Sequence, residues 1–466
     1  MPRRQRTKGK NDVALRTGGW VARHRASTER TRALLPPARR PPAPAAPGGL
    51  RIAFLVYRGN PRVGGQGVYT RHLTRELVAL GHSVEVFAGS PWPELDEGVG
   101  FTPVLGLDLY REPDPFRTPA LSELRSWADI LEFLTLRAGG FAEPWTFGMR
   151  VKKLLRSRRD EFDIIHDNQC LATGILDLFY QEWPVLETLH HPITVDRAIA
   201  LAHATTWLER YGVRRWYGFL RMQIRVVQQL PAILTVSHNS RVDIHEQMGV
   251  ALERLTVVPV GVDHDVFRPY DDVVSRPNRL MVTTSSDVAM KGLVPLLEAA
   301  AQLRQYRRIE LVIIGRPKPD GLVAQAIVRL GLSDAVTTVS GVSDEEMARL
   351  YGEAAVAVVP SLYEGFSLPA IEAMACGVAV VATTGGAIPE VVGPDAALLV
   401  SPGDADALAS AISTLLDDPE RRRRMGVAGR ARVMERFTWQ VTARGTAACY
   451  GAVLRGDALP DAVAFS

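Results

Sequence analysis

From Arg51 onward the chain repeats one pattern, a short apolar run followed by a stretch of helical periodicity. The runs fall into two sets. The first is Arg51–Tyr57, Ser83–Ala88, Asp163–Asp167, Val185–His190, Ala232–Ser237 and Leu255–Val260. The second is Arg279–Ser285, Ile309–Gly315, Val336–Gly341, Val356–Ser361, Ala379–Thr383 and Ala396–Val400. Each is rich in Val, Ile or Leu with little alternation. Strands buried on both faces read this way, and parallel sheets covered by helices bury both faces. Between the runs, Leu73, Leu77 and Leu80 fall at i, i+4 and i+7, and Gly81 closes that helix. Ser343 and Glu346 form a capping box ahead of another. The expected class is α/β, with two doubly wound, Rossmann-like parallel sheets.

The break between the two sets is expected near Val262–Pro277, where the chain is polar and Pro-bearing. Residues 1–49 read as a disordered, basic, Pro-rich tail, residues 50–265 and 266–440 as the two domains, and 441–466 as a last helix and tail. The formal net charge is +4. Twelve Lys or Arg against Asp12 and Glu29 give the first 49 residues +10, so the remainder carries −6. The basic character therefore belongs to the tail, and no nucleic-acid partner is expected for the body. There is no run of 18 apolar residues and no apolar core of a signal peptide. Cys170, Cys376 and Cys449 are scattered, without metal-ligand spacing, which suits a reducing cytoplasm.

Two segments fit the alternation poorly. Pro91–Pro144 mixes Pro, Trp, Phe and charge and reads as irregular structure over the first domain. His203–Leu230 intersperses five arginines with Trp207, Tyr211, Trp216, Tyr217 and Phe219. A basic aromatic helix either makes a peripheral membrane contact or packs its aromatics inward; packing is favoured because the segment runs into a buried-looking strand.

Ligands of open parallel sheets bind beyond the carboxyl ends of the strands. Four loops there are unusual. Gly64, Gly65 and Gly67 precede a helix and let backbone approach an anion. His190 and His191 end a strand, where a histidine meets sugar hydroxyls. Ser285–Gly292 places Lys291 at a helix start, a position that makes sense beside an anion such as a diphosphate. Glu364–Glu372 is the strongest. Ser367 is placed as an N-cap and Pro369 lies in the first turn, so the amides of Ser367 and Leu368 face a phosphate. Loop-plus-helix geometry gives the two acids separate tasks, Glu364 on a sugar and Glu372 on the hydroxyls of a ribose.

At these residues the sequence resembles the retaining glycosyltransferases of family 4, which have the two-domain GT-B fold. Glu364 and Glu372 match the family's Glu-x7-Glu motif, Pro259–Asp263 its interdomain segment, and Phe437-Thr438-Trp439 the turn before its last helix. The resemblance implies an acceptor-binding first domain, a donor-binding second domain, and a last helix that returns to the first. It implies that a hexosyl group moves from a UDP- or GDP-linked sugar to a hydroxyl of a lipid, glycan or small metabolite, with retention and without metal or other cofactor. It also implies the site. His190 and Glu364 are the catalytic candidates. Gly64, Gly65, Gly67, Ser285, Lys291, Gly365, Phe366, Ser367, Leu368 and Glu372 would bind the donor. No Asp-x-Asp motif lies in a suitable loop. One departure stands out: many members place an arginine where this chain has Ser285, and Arg316 or Lys318 would then supply the missing cation. The rival reading is a sugar-nucleotide-binding but catalytically silent subunit.

Overall fold

The computed structural model describes residues 37–60, 65–111, 114–284 and 289–460. Their strands form two sheets, every pairing parallel. The first holds β1 (Arg51–Val56), β2 (Ser83–Ala88), β3 (Gly100–Pro103), β4 (Ile164–Asn168), β5 (Val185–Thr188), β6 (Ile233–Thr235) and β7 (Leu255–Val257), in the order β3-β2-β1-β4-β5-β6-β7. The second holds β8 (Arg276–Thr283), β9 (Glu310–Ile314), β10 (Val336–Val339), β11 (Ala354–Val359), β12 (Val380–Thr383) and β13 (Ala397–Val400), in the order β10-β9-β8-β11-β12-β13. All twelve expected strands are present. Only β3 lies outside the expectation, because four residues bounded by glycine and proline carry no periodic signal.

Strand order reverses between β1 and β4 in the first sheet and between β8 and β11 in the second. A reversal sends the flanking connections to opposite faces and leaves a crevice beyond the carboxyl ends. The chain after β1, β4, β8 and β11 therefore borders the two crevices, and three of the four unusual loops lie there. His190 follows β5, one strand further along.

Most local signals hold. Ser343 Oγ accepts from the Glu346 amide while the Ser343 amide donates to Glu346 Oε2, the expected capping box. Gly81 ends helix Gly65–Ala79 with positive φ, but Leu80 lies past that helix and is exposed. The aromatic segment divides. Helix Leu220–Val227 buries Leu220, Gln223, Val226 and Val227, as the packing reading requires. Helix Trp207–Trp216 buries none of its residues, and Trp207 is 79% exposed. For most of that helix the packing expectation fails: Trp207 and Tyr211 are exposed, and only Trp216, at its end, meets rings of another segment. Among the described residues no helix is long and apolar enough to cross a membrane.

The tail boundary also shifts. Residues 39–49, expected as part of a disordered tail, pack on the first sheet. Arg40 pairs antiparallel with Phe101 on the edge strand β3, and Ala46 donates to the Gly81 carbonyl. Arg39 joins Arg158 in neutralising the buried Glu85 carboxylate. An open strand edge and a buried carboxylate both need partners, and this segment supplies them. Residues 1–36 lie outside the described residues. At the other end, helix Trp439–Arg455 follows the second sheet and packs on the first domain. Trp439 stacks on His72, and Tyr450 hydrogen bonds His166 Nδ1 at 2.6 Å.

The first domain buries a carboxyl pair. Asp167 and Glu187 are register partners on β4 and β5, both fully buried. Asp167 Oδ2 accepts from the Leu171 amide, but Asp167 Oδ1 and both Glu187 oxygens meet no donor. The two must share a proton. Burial raises both groups, Asp167 to about 6. A raised folded pKa contributes stability below the unfolded value that is lost as pH rises through the folded one. Two units of difference correspond to about 3 kcal/mol. A Glu187→Gln variant, with a permanent N–H in place of the shared proton, is expected to be more stable than wild type at pH 8 by about 1–3 kcal/mol. The difference should vanish near pH 5. Parallel denaturation curves from pH 5 to 8 would count against the shared proton.

Candidate active site

From the first domain come a helix start and a histidine. Gly64 and the loop 61–64 lie outside the described residues. Helix Gly65–Ala79 begins directly after them. A Cβ on Gly67 would lie 1.8 Å from the Asn60 carbonyl oxygen, so only glycine lets this helix pack so tightly on the chain leaving β1. A Cβ on Gly65 would meet Leu368 Cδ1 of the second domain at 3.8 Å. The starts of two helices, Gly65–Ala79 and Leu368–Ala375, thus face each other across the cleft.

His190 is half-buried just beyond β5. Its Nε2 lies 2.8 Å from Asn168 Oδ1, while Asn168 Nδ2 donates to Thr70 Oγ1 and Thr70 donates to the Gln66 carbonyl. That chain assigns the proton to Nε2 and leaves the Nδ1 lone pair without a partner among the described residues. Burial, helped by the neighbouring His191, pushes His190 down to about 3, so the ring is neutral at physiological pH. Tyr69 packs edge-on at 4.6 Å and fixes its plane. A neutral imidazole with one free acceptor suits a hydroxyl. His191 instead pairs with Asp196 at 3.1 Å.

The second domain supplies the charged groups. Lys291 ends a short 3-10 turn, Ala289–Lys291, just before helix Leu293–Leu303. Its Nζ donates to Glu364 Oε1 at 2.8 Å, and Ser361 Oγ donates to the same oxygen at 2.7 Å. Ser285 lies outside the described residues. Arg316, just beyond β9, is exposed and forms no ion pair among the described residues, leaving its guanidinium available to an anion.

After Glu364 the chain turns into helix Leu368–Ala375. Ser367 holds the N-cap position, but its side chain does not cap, which corrects the sequence expectation. Its φ of 103° lies outside ordinary L-residue space, and its buried Oγ has no hydrogen-bond partner. Among the described residues nothing accepts from the amides of Ser367 or Leu368. A strained turn with an orphan hydroxyl and two free amides beside an ammonium group is arranged for an anion. Phe366 is buried, its ring edge-on to Phe437.

Glu372 is half-buried one turn further on. Desolvation, with Asp344 adding to it, pushes its carboxyl up to about 7 against the pull of the Tyr351 hydroxyl. Tyr351 also bonds Thr283 at 2.8 Å, so the acid is steered from β8 through one phenol. The two acids have different partners, Lys291 and Ser361 for Glu364 and Tyr351 for Glu372. Tyr351 and Ser361 carried no spacing signal; only the sheet order brings them in.

The loop after β11 is tied to the first domain. The Gly365 carbonyl accepts from Ser237 Oγ at 2.7 Å and Ser240 Oγ at 3.0 Å. A Cβ on Gly365 would sit 2.8 Å from His191 Cβ and 3.2 Å from the His190 carbonyl, so glycine alone fits between the domains. Tyr363 donates to Asp243 at 2.6 Å. The Glu390 carboxylate accepts from the amides of His238 and Asn239 at the start of helix His238–Met248. Glu390 was missed because its partners lie 150 residues away on another domain.

Two Rossmann-like domains that bring two helix starts together across a cleft define a class of enzyme folds. The model for glycosyltransferase family 4 matches residues 63–266, and that for glycosyl transferases group 1 matches residues 274–432. This chain belongs to the family 4 glycosyltransferases, enzymes of GT-B fold. Among its relatives is the MMP alpha-(1->4)-mannosyltransferase of Mycolicibacterium hassiacum, 51% identical over 404 residues, covering 86% of this chain and 98% of that protein. The D-inositol 3-phosphate glycosyltransferase of Segniliparus rotundus is 28% identical over 439 residues, covering 90% and 92%. Sucrose-phosphate synthase from Thermosynechococcus elongatus shares the fold with a TM-score of 0.69 at 24% identity, covering 88% of this chain and 100% of that one. Anabaena HepE, solved in complex with UDP-glucose, has a TM-score of 0.61 at 19% identity, covering 85% and 98%.

Proposed function

We propose that this glycosyltransferase moves a mannosyl group from a nucleoside-diphosphate sugar to a hydroxyl of a glycan, making an α linkage with retention. One observation carries the donor site: Lys291, Glu364 and the free amides of Ser367 and Leu368 converge opposite the start of helix Gly65–Ala79 and His190. The mannosyl group, the α product and a sugar hydroxyl as acceptor are supported by the relative at 51% identity, named an alpha-(1->4)-mannosyltransferase, a linkage that ends on a sugar's 4-position. An α-linked donor giving an α product keeps its configuration.

In this reading the bond from the anomeric carbon to the diphosphate oxygen breaks as the acceptor oxygen attacks from the same face, and the acceptor's hydroxyl proton passes to the departing phosphate oxygen. Charge develops on the leaving diphosphate, where Lys291 and the helix amides are already placed, so no divalent cation is required. Glu364 holds sugar hydroxyls and shares Lys291 until the donor arrives. His190 Nδ1 accepts from another sugar hydroxyl, and Glu372 receives the ribose hydroxyls. The test presents GDP- and UDP-mannose with α-mannose oligosaccharides in the presence of a chelator. Expected are released nucleoside diphosphate and an α-linked product by NMR. A β-linked product, or activity that needs a divalent ion, would overturn the reading.

Because the donor touches both domains, the docking contacts bear on its affinity. A carboxylate at a helix start contributes about 1 kcal/mol. Glu390→Gln is expected to raise the donor KM about fivefold with little change in kcat. A fall in kcat at unchanged KM would show that Glu390 does not set donor affinity.

A further inference from the structure

Pro91–Pro144 and His203–Leu230, the two segments without a readable motif, meet in one aromatic cluster. Tyr110, Phe116 and Phe141 come from the first; Trp216 comes from the second. Phe141 lies 5.4 Å from Trp216 and 5.6 Å from Tyr110, and Tyr110 meets Trp216 edge-on at 5.9 Å. Phe116 closes the group 5.5 Å from Tyr110 and 6.5 Å from Trp216.

A packing role alone does not account for Phe116. It is 55% exposed, and its φ is +66°, the left-handed region that bulky residues avoid. Strain of this kind costs of order 1–3 kcal/mol and concentrates at functional sites. Here it holds an aromatic ring in solvent beside Tyr110 and Trp216. Trp216 is itself half-buried, and its indole N–H has no partner among the described residues.

A polar pair sits against the rings. The Arg58 guanidinium lies 5.2 Å over the Tyr110 ring, and its Nε is 3.3 Å from Glu143 Oε2. The pair is close but not aligned for a hydrogen bond, so the buried Oε2 has no donor. Arg58 makes no other hydrogen bond among the described residues. Aromatic faces, an indole N–H, a guanidinium with free donors and a buried carboxyl oxygen without a partner are what a sugar ring requires. Its C–H face packs on rings while its hydroxyls give and take hydrogen bonds at the edge.

The location fixes which sugar. Arg58 lies two residues past β1, and Glu143 neighbours the loop after β4, where Cys170 Sγ donates to the Pro144 carbonyl. This is the crevice at the strand-order reversal of the first sheet. His190, placed on the donor sugar, is tied to the same strand end through Asn168.

We infer that Arg58, Glu143, Tyr110, Phe116 and Trp216 form the subsite that holds the acceptor's hexose next to the transferred group. The inference rests on the proposed glycan acceptor. Two variants test it, Trp216→Ala and Arg58→Gln, the second leaving the aromatic packing intact. Both are expected to raise the KM for an α-mannose oligosaccharide at least tenfold. Donor KM and acceptor-independent donor hydrolysis should stay within about twofold of wild type. Oligosaccharide binding is measured separately by saturation-transfer NMR with nucleoside diphosphate present. Binding by wild type that both variants lose supports the subsite even if no transfer is seen, in which case the proposed reaction fails alone. Equal binding by wild type and the folded Arg58→Gln variant, or none by wild type, overturns the subsite.

Discussion

Replacing Lys291 by alanine is expected to lower kcat by about two to three orders of magnitude, with a smaller effect on donor KM. The argument is one of timing. In the proposed reaction the C1–O bonding pair is shared with the sugar carbon in the bound donor, and as that bond breaks the pair passes to the leaving oxygen, which gains negative charge. A cation already in place stabilises that state more than the ground state, and contacts of this type are worth about 3–4 kcal/mol. The ammonium needs no reorganisation, because Glu364, its Oε1 also bonded by Ser361 Oγ, already holds it in place. Lys291→Arg should recover only part of the loss, since a planar guanidinium cannot occupy a point-charge site without shifting Glu364. Rates for both variants, measured at saturating donor, decide the matter. A Lys291→Ala enzyme with a raised KM and native kcat would mean that the lysine binds the donor equally in both states.

Strand runs such as Ile52–Val56 and Val356–Val359 were legible because burial on both faces leaves no alternative to continuous apolar sequence. The loops were legible because glycines, a capping-type serine and a proline in sequence order mark a strand handing over to a helix. What stayed hidden depends on distance. Tyr351 reaches Glu372 across 21 positions, and Glu390 reaches His238 across 152. Neither spacing has meaning until the sheet order is known. Ser367 shows the opposite failure: its residue type and position predicted a capped helix, while the fold uses the same position in a strained conformation that leaves its hydroxyl unpaired. Helix Trp207–Trp216 failed for a similar reason. Its aromatics suggested burial, yet only Trp216 meets rings of another segment, and a sequence does not say whether an element is present to bury the others.

Glu372 gives the second large effect, and its direction follows from one buried carboxyl. Burial raises the group to about 7, so near neutral pH the empty site holds a mixture of acid and carboxylate. In the proposed donor site ribose hydroxyls would donate to the carboxylate, so nucleotide binding is expected to select the ionised form and release a proton. Relative to full ionisation, affinity is reduced about elevenfold at pH 6 and about twofold at pH 7, and hardly at all at pH 8. Nucleoside diphosphate affinity should thus rise about tenfold from pH 6 to pH 8, beyond what the phosphate's own titration contributes. Glu372→Gln supplies that baseline, because it keeps the shape and removes the titration. Stability runs the other way: the raised pKa favours the empty fold at low pH and is lost as pH climbs through 7, so the glutamine variant gains on wild type above that point. Glu372→Ala forfeits two charge-assisted hydrogen bonds at about 1.5–3 kcal/mol each and should weaken binding about a hundredfold or more at pH 8. Calorimetry in two buffers of different ionisation enthalpy reads both quantities. Proton release that persists in Glu372→Gln would place the titrating group elsewhere, and an alanine variant that still binds tightly would remove the ribose from this carboxylate.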